Sequence, residues 1–208
     1  QKALYSADDA LEFRTKLLNI FASNSATTWI EAKQIEERFK KVQIENITSK
    51  PPTMVGVDLS VRDDFSTVTY NLYSVDSRSF HSYTDYYFPD GALEKHPNCE
   101  LYKGWVKAGY LKLCKGDIID YQQIVDDILK MANYLCIMGI GYDPYKSAEF
   151  VNLLSSSVGG EADIINPVKQ TYGTFTSPVE SFEIAIYSNK ISFDPNPITP
   201  YCFANAIL

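Results

Sequence analysis

The spacing of apolar residues changes character at Pro51 and Pro52. Before them, apolar positions recur at helical intervals. "SADDALEFRTKLLNIF" offers Ser6 as an N-cap, with Leu11, Leu17, Leu18 and Phe21 behind it. "SATTWIEAKQIEERFKKV" sets Trp29, Ile30, Ile35, Phe39 and Val42 along a second stripe, with Glu36 and Lys40 as an i,i+4 pair. The two prolines then block helix continuation. Residues 1–52 are expected to form a helical linker leading into a domain that spans 53–208.

Beyond the prolines the period shortens to two. Met54–Leu59 reads as an apolar strand, "STVTYNLYSVD" as a second, and "SFHSYTDYYFP" as a third. Short breaks between them predict an antiparallel meander. Residues 90–110 are irregular to helical, and "GYLKLCKGD" reads as a short strand or turn. "DYQQIVDDILKMANYL" is a helix capped by Asp120, with Ile124, Ile128, Leu129 and Leu135 inward. "CIMGIGYD" is a buried strand, "SAEFVNLLSSS" a helix stopped by Gly159 and Gly160, and "ADIIN" a short strand. "SPVESFEIAIYSN" reads as a helix with Ser177 at its cap and Pro178 at its first position. The order predicts an α/β fold: a mixed sheet of a three-strand meander plus parallel strands, with flanking helices.

Composition narrows the function. The chain has 208 residues, 45% hydrophobic and 13% aromatic, which suits one domain with a sizeable core. Its net charge of −7 counts against strong intrinsic nucleic-acid affinity, though a local basic patch can still steer a ligand. Cys99, Cys114, Cys136 and Cys202 form no C-x-x-C pair, and His81 and His96 lie in no finger-like spacing, so no zinc site is expected. Reduced cysteines are expected instead. No apolar run approaches the ~20 residues of a membrane span. There is no signal peptide, P-loop, dinucleotide fingerprint or nucleophile elbow. The start at Gln1 and the apolar close "YCFANAIL" suggest a piece of a longer polypeptide.

Two apolar strands end in aspartate: "MVGVD" in Asp58 and "IMGIGYD" in Asp143. If they lie side by side and parallel, both carboxylates meet at one sheet edge, at a strand spacing of ~4.8 Å. The pair would repel, and a divalent cation would relieve it. Mg²⁺ or Mn²⁺ suits such oxygen ligands, and a two-metal site cleaves phosphodiesters. A turn or capping role stands open for Asp143, which precedes Pro144, and turn chemistry for Asp63 and Asp64. Lys103, Lys107 and Lys112, interleaved with Tyr102, Trp105 and Tyr110, form a candidate phosphate track, as does Lys146. A solvated helix face is the equal alternative there.

"GVDLSVRDDFSTVTY" and "GYDPYKSAEFVNLL" resemble the two acidic motifs of the nuclease domain of phage large terminase subunits. The segments around them follow that family's run of elements over nearly the whole chain. The resemblance implies a ribonuclease H-like fold and a metal-dependent endonuclease that cuts concatemeric viral DNA during packaging. It places Asp58 and Asp143 as metal-binding catalytic acids, with Asp64 as a second-tier ligand. It implies double-stranded viral DNA, a terminase small subunit, a portal protein and an ATPase domain of the same polypeptide as partners, in the cytoplasm of an infected bacterial host. A third family acid is expected beyond "NAIL". Asp194 is a poor substitute, so weak or absent cleavage is expected from this chain alone. A resolvase or transposase activity on the same fold, or a non-catalytic docking domain of the motor, remain the alternatives.

Overall fold

The computed structural model describes residues 29–206. The helical spacing read over 1–28 lies outside the described residues. The meander is formed by β1 (Pro52–Asp58), β2 (Ser66–Ser74) and β3 (Ser79–Pro89), paired antiparallel in that order. Then follow α2 (Asp90–Leu93), α3 (Cys99–Lys107), β4 (Leu111–Cys114) and α4 (Tyr121–Met131). Next come β5 (Cys136–Tyr142), α5 (Ala148–Val158) and β6 (Ile165–Pro167). The last elements are α6 (Tyr172–Tyr187), β7 (Ile191–Phe193) and α7 (Ile198–Asn205). The seven strands make one mixed sheet, ordered β4-β3-β2-β1-β5-β6, with β7 beside β4 on the outer edge of β3. β5 pairs parallel with β1, and β6 parallel with β5.

Alternation along the strands divides the core. Val55 and Val57 of β1, Val68, Tyr70 and Leu72 of β2 and Ile140 of β5 share one face. That face packs on Ile124, Val125 and Ile128 of α4 and on Phe150 and Leu154 of α5. The other face is covered only in part. Phe65, Tyr86 and Phe88 pack there with Tyr102 and Trp105 of α3 and Ile198 of α7. Over β1 and β5 that second face is nearly bare: Met54 and Met138 are exposed, and a Cβ built on Gly56 would meet nothing within 4 Å.

Two local expectations change, and one strand had no expectation. Of the helix read across 25–42, the described residues 29–42 form only α1 (Ala32–Glu36). Past it the chain pairs with β7 instead, through Phe193 N–H to the Arg38 carbonyl at 3.0 Å and Lys40 N–H to the Phe193 carbonyl at 2.9 Å. Tertiary strand pairing outweighs a weak helical preference. The helix expected from Ser177 begins earlier, because Thr171 caps it by accepting from the Thr174 N–H; Ser177 and Pro178 therefore fall inside α6. β7 has only three residues, too few to show a period. Gly159, at φ 63°, ends α5 in the left-handed region, as a glycine there permits.

A polar network is buried between β3, β4 and α4. Lys112 Nζ lies 3.0 Å from Asp85 Oδ1 and 2.8 Å from Asp127 Oδ2. Lys130 Nζ reaches Asp127 Oδ1 at 3.0 Å, the Tyr87 hydroxyl donates to Asp127, and the Tyr83 hydroxyl donates to Asp85. Burial pushes the Asp85 carboxyl up, against the pull of Lys112. Burial also opposes the charge of Asp127, but hydrogen bonds from Lys112 and Lys130 outweigh it and hold that carboxyl low. Asp127 therefore contributes stability above its unfolded pKa, and the contribution is lost as pH falls through its depressed folded value. Lys112→Met leaves Asp85 buried without a cation. It should destabilise the fold by about 2–4 kcal/mol in urea unfolding, and adding Asp85→Asn should recover part of that loss.

Candidate metal centre

The register of β1 and β5 pairs Val57 with Tyr142. The next residue on each strand is aspartate, so Asp58 and Asp143 leave the sheet together at the carboxyl ends of two parallel neighbours. Both line one cleft of about 380 Å³. Its floor is Gly56, Thr67, Thr69 and Gly141, and its far wall is Val168, Gln170 and Phe175. Thr67 is the cross-strand partner of Asp58 on β2. The far wall is held by the Val168 N–H donating to the Tyr142 carbonyl at 2.8 Å. A Cβ on Gly141 would lie 3.1 Å from Val168 Cγ2, so glycine is what lets that wall close on β5.

Each acid is fixed by its own turn. Asp143 Oδ1 accepts from the Tyr145 N–H at 2.9 Å, and among the described residues nothing bonds to Oδ2. The turn after Asp58 is tied by Ser66, whose Oγ accepts from the Ser60 N–H at 2.9 Å, and by the Ile119 N–H donating to Val61 at 2.9 Å. Asp64 accepts from the N–H of Phe65 at 2.8 Å. The Asp58 side chain opens to solvent on its cleft side, yet the packed walls still withdraw water from it. That desolvation raises its carboxyl above the usual range; the charges of Asp64 and then Asp143 raise it further, and a hydrogen bond from the backbone of Leu59 partly offsets them. The three acids therefore share one field, although among the described residues no group of three His, Cys, Asp or Glu side chains is placed to hold a metal.

The other expected residues scatter. Asp63 is solvent-exposed and pairs weakly with Arg62 at 3.8 Å. Asp194 lies elsewhere, buried and bonded to Lys41 at 3.2 Å. Lys103 is paired with Glu94 at 2.9 Å and Glu100 at 3.4 Å, and Lys107 is exposed on the last turn of α3. Lys112 lies on the sheet face opposite Asp58, inside the buried network. Lys146 follows Asp143 closely, with its ammonium 5.1 Å from the ring centre of the exposed Tyr145. Sequence reasoning missed Thr67, which hairpin register would have found, and Gln170, which no local pattern marks. A larger recess of about 470 Å³ runs beside the cleft between β2, β3, α6 and α7, but no charged side chain lines it.

The family described as terminase large subunit, endonuclease domain, matches residues 1–208. This chain belongs to that family. It is 26% identical over 223 residues to protein YmfN of Escherichia coli strain K12, covering all of this chain and 46% of YmfN. Its fold superposes on the HK97 bacteriophage large terminase with a TM-score of 0.74 at 18% identity, over 87% of this chain and 37% of that one. The chain thus spans less than half the length of these relatives. The likeness establishes a ribonuclease H-like mixed sheet for this terminase domain.

Two carboxylates at neighbouring strand ends, one with an oxygen that no described residue bonds and one carrying an unfavourable field, fit a hard divalent cation that takes its remaining oxygens from water and substrate. Without metal, the raised pKa of Asp58 means its ionisation weakens the fold as pH rises through that value. Asp58→Asn should accordingly stabilise the metal-free domain at neutral pH. Removing one neighbour should bring the Asp58 carboxyl down, and Asp64→Asn should do so more than Asp143→Asn. Carboxyl NMR titration reads both shifts; equal shifts would contradict the ordering, and absent shifts would contradict the shared field.

Proposed function

We propose that this terminase domain is a divalent-metal-dependent DNA endonuclease, cutting concatemeric viral DNA during genome packaging. The observation that carries it is the pairing of Asp58 with Asp143 at adjacent parallel strand ends over an open cleft. Asp58, Asp143 and, in a lesser role, Asp64 would hold Mg²⁺ or Mn²⁺. When bound, the metal supplies positive charge that polarises the phosphodiester and acidifies water. The chain's own contribution is placement. The Tyr145 N–H orients Asp143, the Ser66-tied turn orients Asp58, and Thr67 and Gln170 offer neutral hydrogen-bonding groups on opposite sides of the acids. Lys146, beside Asp143, is the cation of the expected set best placed to meet DNA.

The partners that suit this role are double-stranded viral DNA, the terminase small subunit, the portal protein and an ATPase domain of the same polypeptide. The setting that suits it is the cytoplasm of the infected bacterial host. A second reading, a docking domain with structural acids, is favoured by one observation: the described residues gather no three-ligand cluster.

Plasmid cleavage by the full-length protein in Mn²⁺ separates the two. Asp58→Asn should lower the cleavage rate about a thousandfold or more with the fold intact by circular dichroism, and EDTA should abolish wild-type cutting. Unchanged cutting by Asp58→Asn would refute Asp58 as a catalytic acid, and no cutting by wild type would refute the nuclease assignment. Calorimetry showing no Mn²⁺ binding would favour docking.

A further inference from the structure

A second cleft, of about 300 Å³, lies beyond the turn that follows Asp58. It is lined by Arg62 and Asp63 of that turn, by Lys95, His96 and Pro97 of the α2–α3 connection, and by Phe88 and Ala92 beneath. We propose that this cleft binds a backbone phosphate of the nucleic-acid substrate, adjacent to the phosphodiester at the acid pair. The proposal rests on the nuclease reading and assigns part of its substrate grip.

Three side chains present donors there. The Lys95 ammonium makes no ion pair or hydrogen bond with a described residue, whereas Lys103, Lys112 and Lys130 each bind carboxylates. Arg62 has only its exposed neighbour Asp63, at 3.8 Å. His96 Nδ1 accepts from the Asn98 N–H at 3.1 Å. In the neutral ring that bond puts the proton on Nε2, which is left with no described partner. The ring is held by stacking on Tyr102, with centroids 4.3 Å apart and planes at 22°. Arg62 rides on a turn pinned at Ser60 and Val61. The unpaired Lys95, an Arg62 held only by its weak exposed pair with Asp63, and a neutral N–H donor surround an apolar floor and match the chemistry of a phosphodiester oxygen, with Asp63 as the one acid in the lining.

The cleft also stands next to the acids. The charge of Asp64 acts on Asp58 to one side and on His96 to the other. Arg62 and Asp63 of the cleft belong to the same β1–β2 connection that starts at Asp58, so in this proposal a strand whose scissile phosphate meets Asp58 crosses this turn. In a chain of net charge −7, cations left unpaired or only weakly paired beside the acid pair are where polyanion attraction concentrates.

The test uses the full-length protein, its Arg62→Ala/Lys95→Ala variant, and a charge-matched control, Lys33→Ala/Lys115→Ala. Cleavage of a linear duplex in Mn²⁺ is followed over a range of salt. The cleft variant should raise KM about tenfold with kcat within twofold, and lower the slope of log(kcat/KM) against log[salt] by about two. The control should match wild type. His96→Phe, which keeps the ring stack and loses the N–H, should also raise KM, and Arg62→Lys should recover part of the loss. Duplex binding without divalent metal, measured by fluorescence anisotropy, should show the same ordering and does not depend on catalysis. No metal-dependent cutting by wild type overturns the nuclease reading while leaving this binding order intact. Wild-type KM and binding in the cleft variant, or an equal loss in the control, overturns the phosphate site.

Discussion

Parallel pairing between β1 and β5 is the contact on which the rest of the structure depends. It places the ends of two strands, distant in sequence, at neighbouring positions with the same direction. Its buried side is apolar, through Val55, Val57 and Ile140 against α4 and α5. Hydrophobic burial on that side fixes the register, since a one-residue slip would turn every side chain over. The opposite side inherits that register without having to be stable itself. Two like charges can therefore meet at Asp58 and Asp143, on a face left open at Gly56. The domain carries the strain of the site on one face and its stability on the other.

Much of this is legible in the sequence, and the rest is hidden for physical reasons. The meander shows because β2 and β3 alternate over nine and eleven residues, long enough for a period to emerge. The strand ends at Asp58 and Asp143 show because apolar runs stop there. Short elements do not show. β7 is defined by its pairing with β3, and α1 ends where the chain leaves to pair with β7. The start of α6 was misread because Ser177 and Pro178 imitate a helix cap, while the Thr171 cap precedes them. At the site, the acids are visible as motifs. The walls are not: Gln170 arrives on a loop whose position depends on one hydrogen bond and the absence of a Cβ at Gly141.

The basic residues divide by the company they keep. A run of lysines with interleaved aromatics looks like a phosphate track, but the fold distributes it. Tyr102 and Trp105 enter the core beneath α3, Lys103 turns to two glutamates, and Lys112 crosses to the other face to balance Asp85 and Asp127. The cations near the acids that are unpaired or only weakly paired are isolated in sequence: Arg62, Lys95 and Lys146. Clustering along the chain tracks helix solvation as readily as ligand contact, whereas a free charge at the end of the right strand is visible only once the sheet is assembled.

The central claim, that Asp58 and Asp143 together hold a divalent cation, is tested most directly by anomalous scattering from crystals of the full-length protein grown with Mn²⁺. The account predicts an anomalous peak within coordinating distance, ~2.0–2.2 Å, of a carboxylate oxygen from each of the two aspartates, absent from Asp58→Asn crystals. Ordered carboxylates with no peak between them, or a Mn²⁺ ion bound only at other residues, would contradict it.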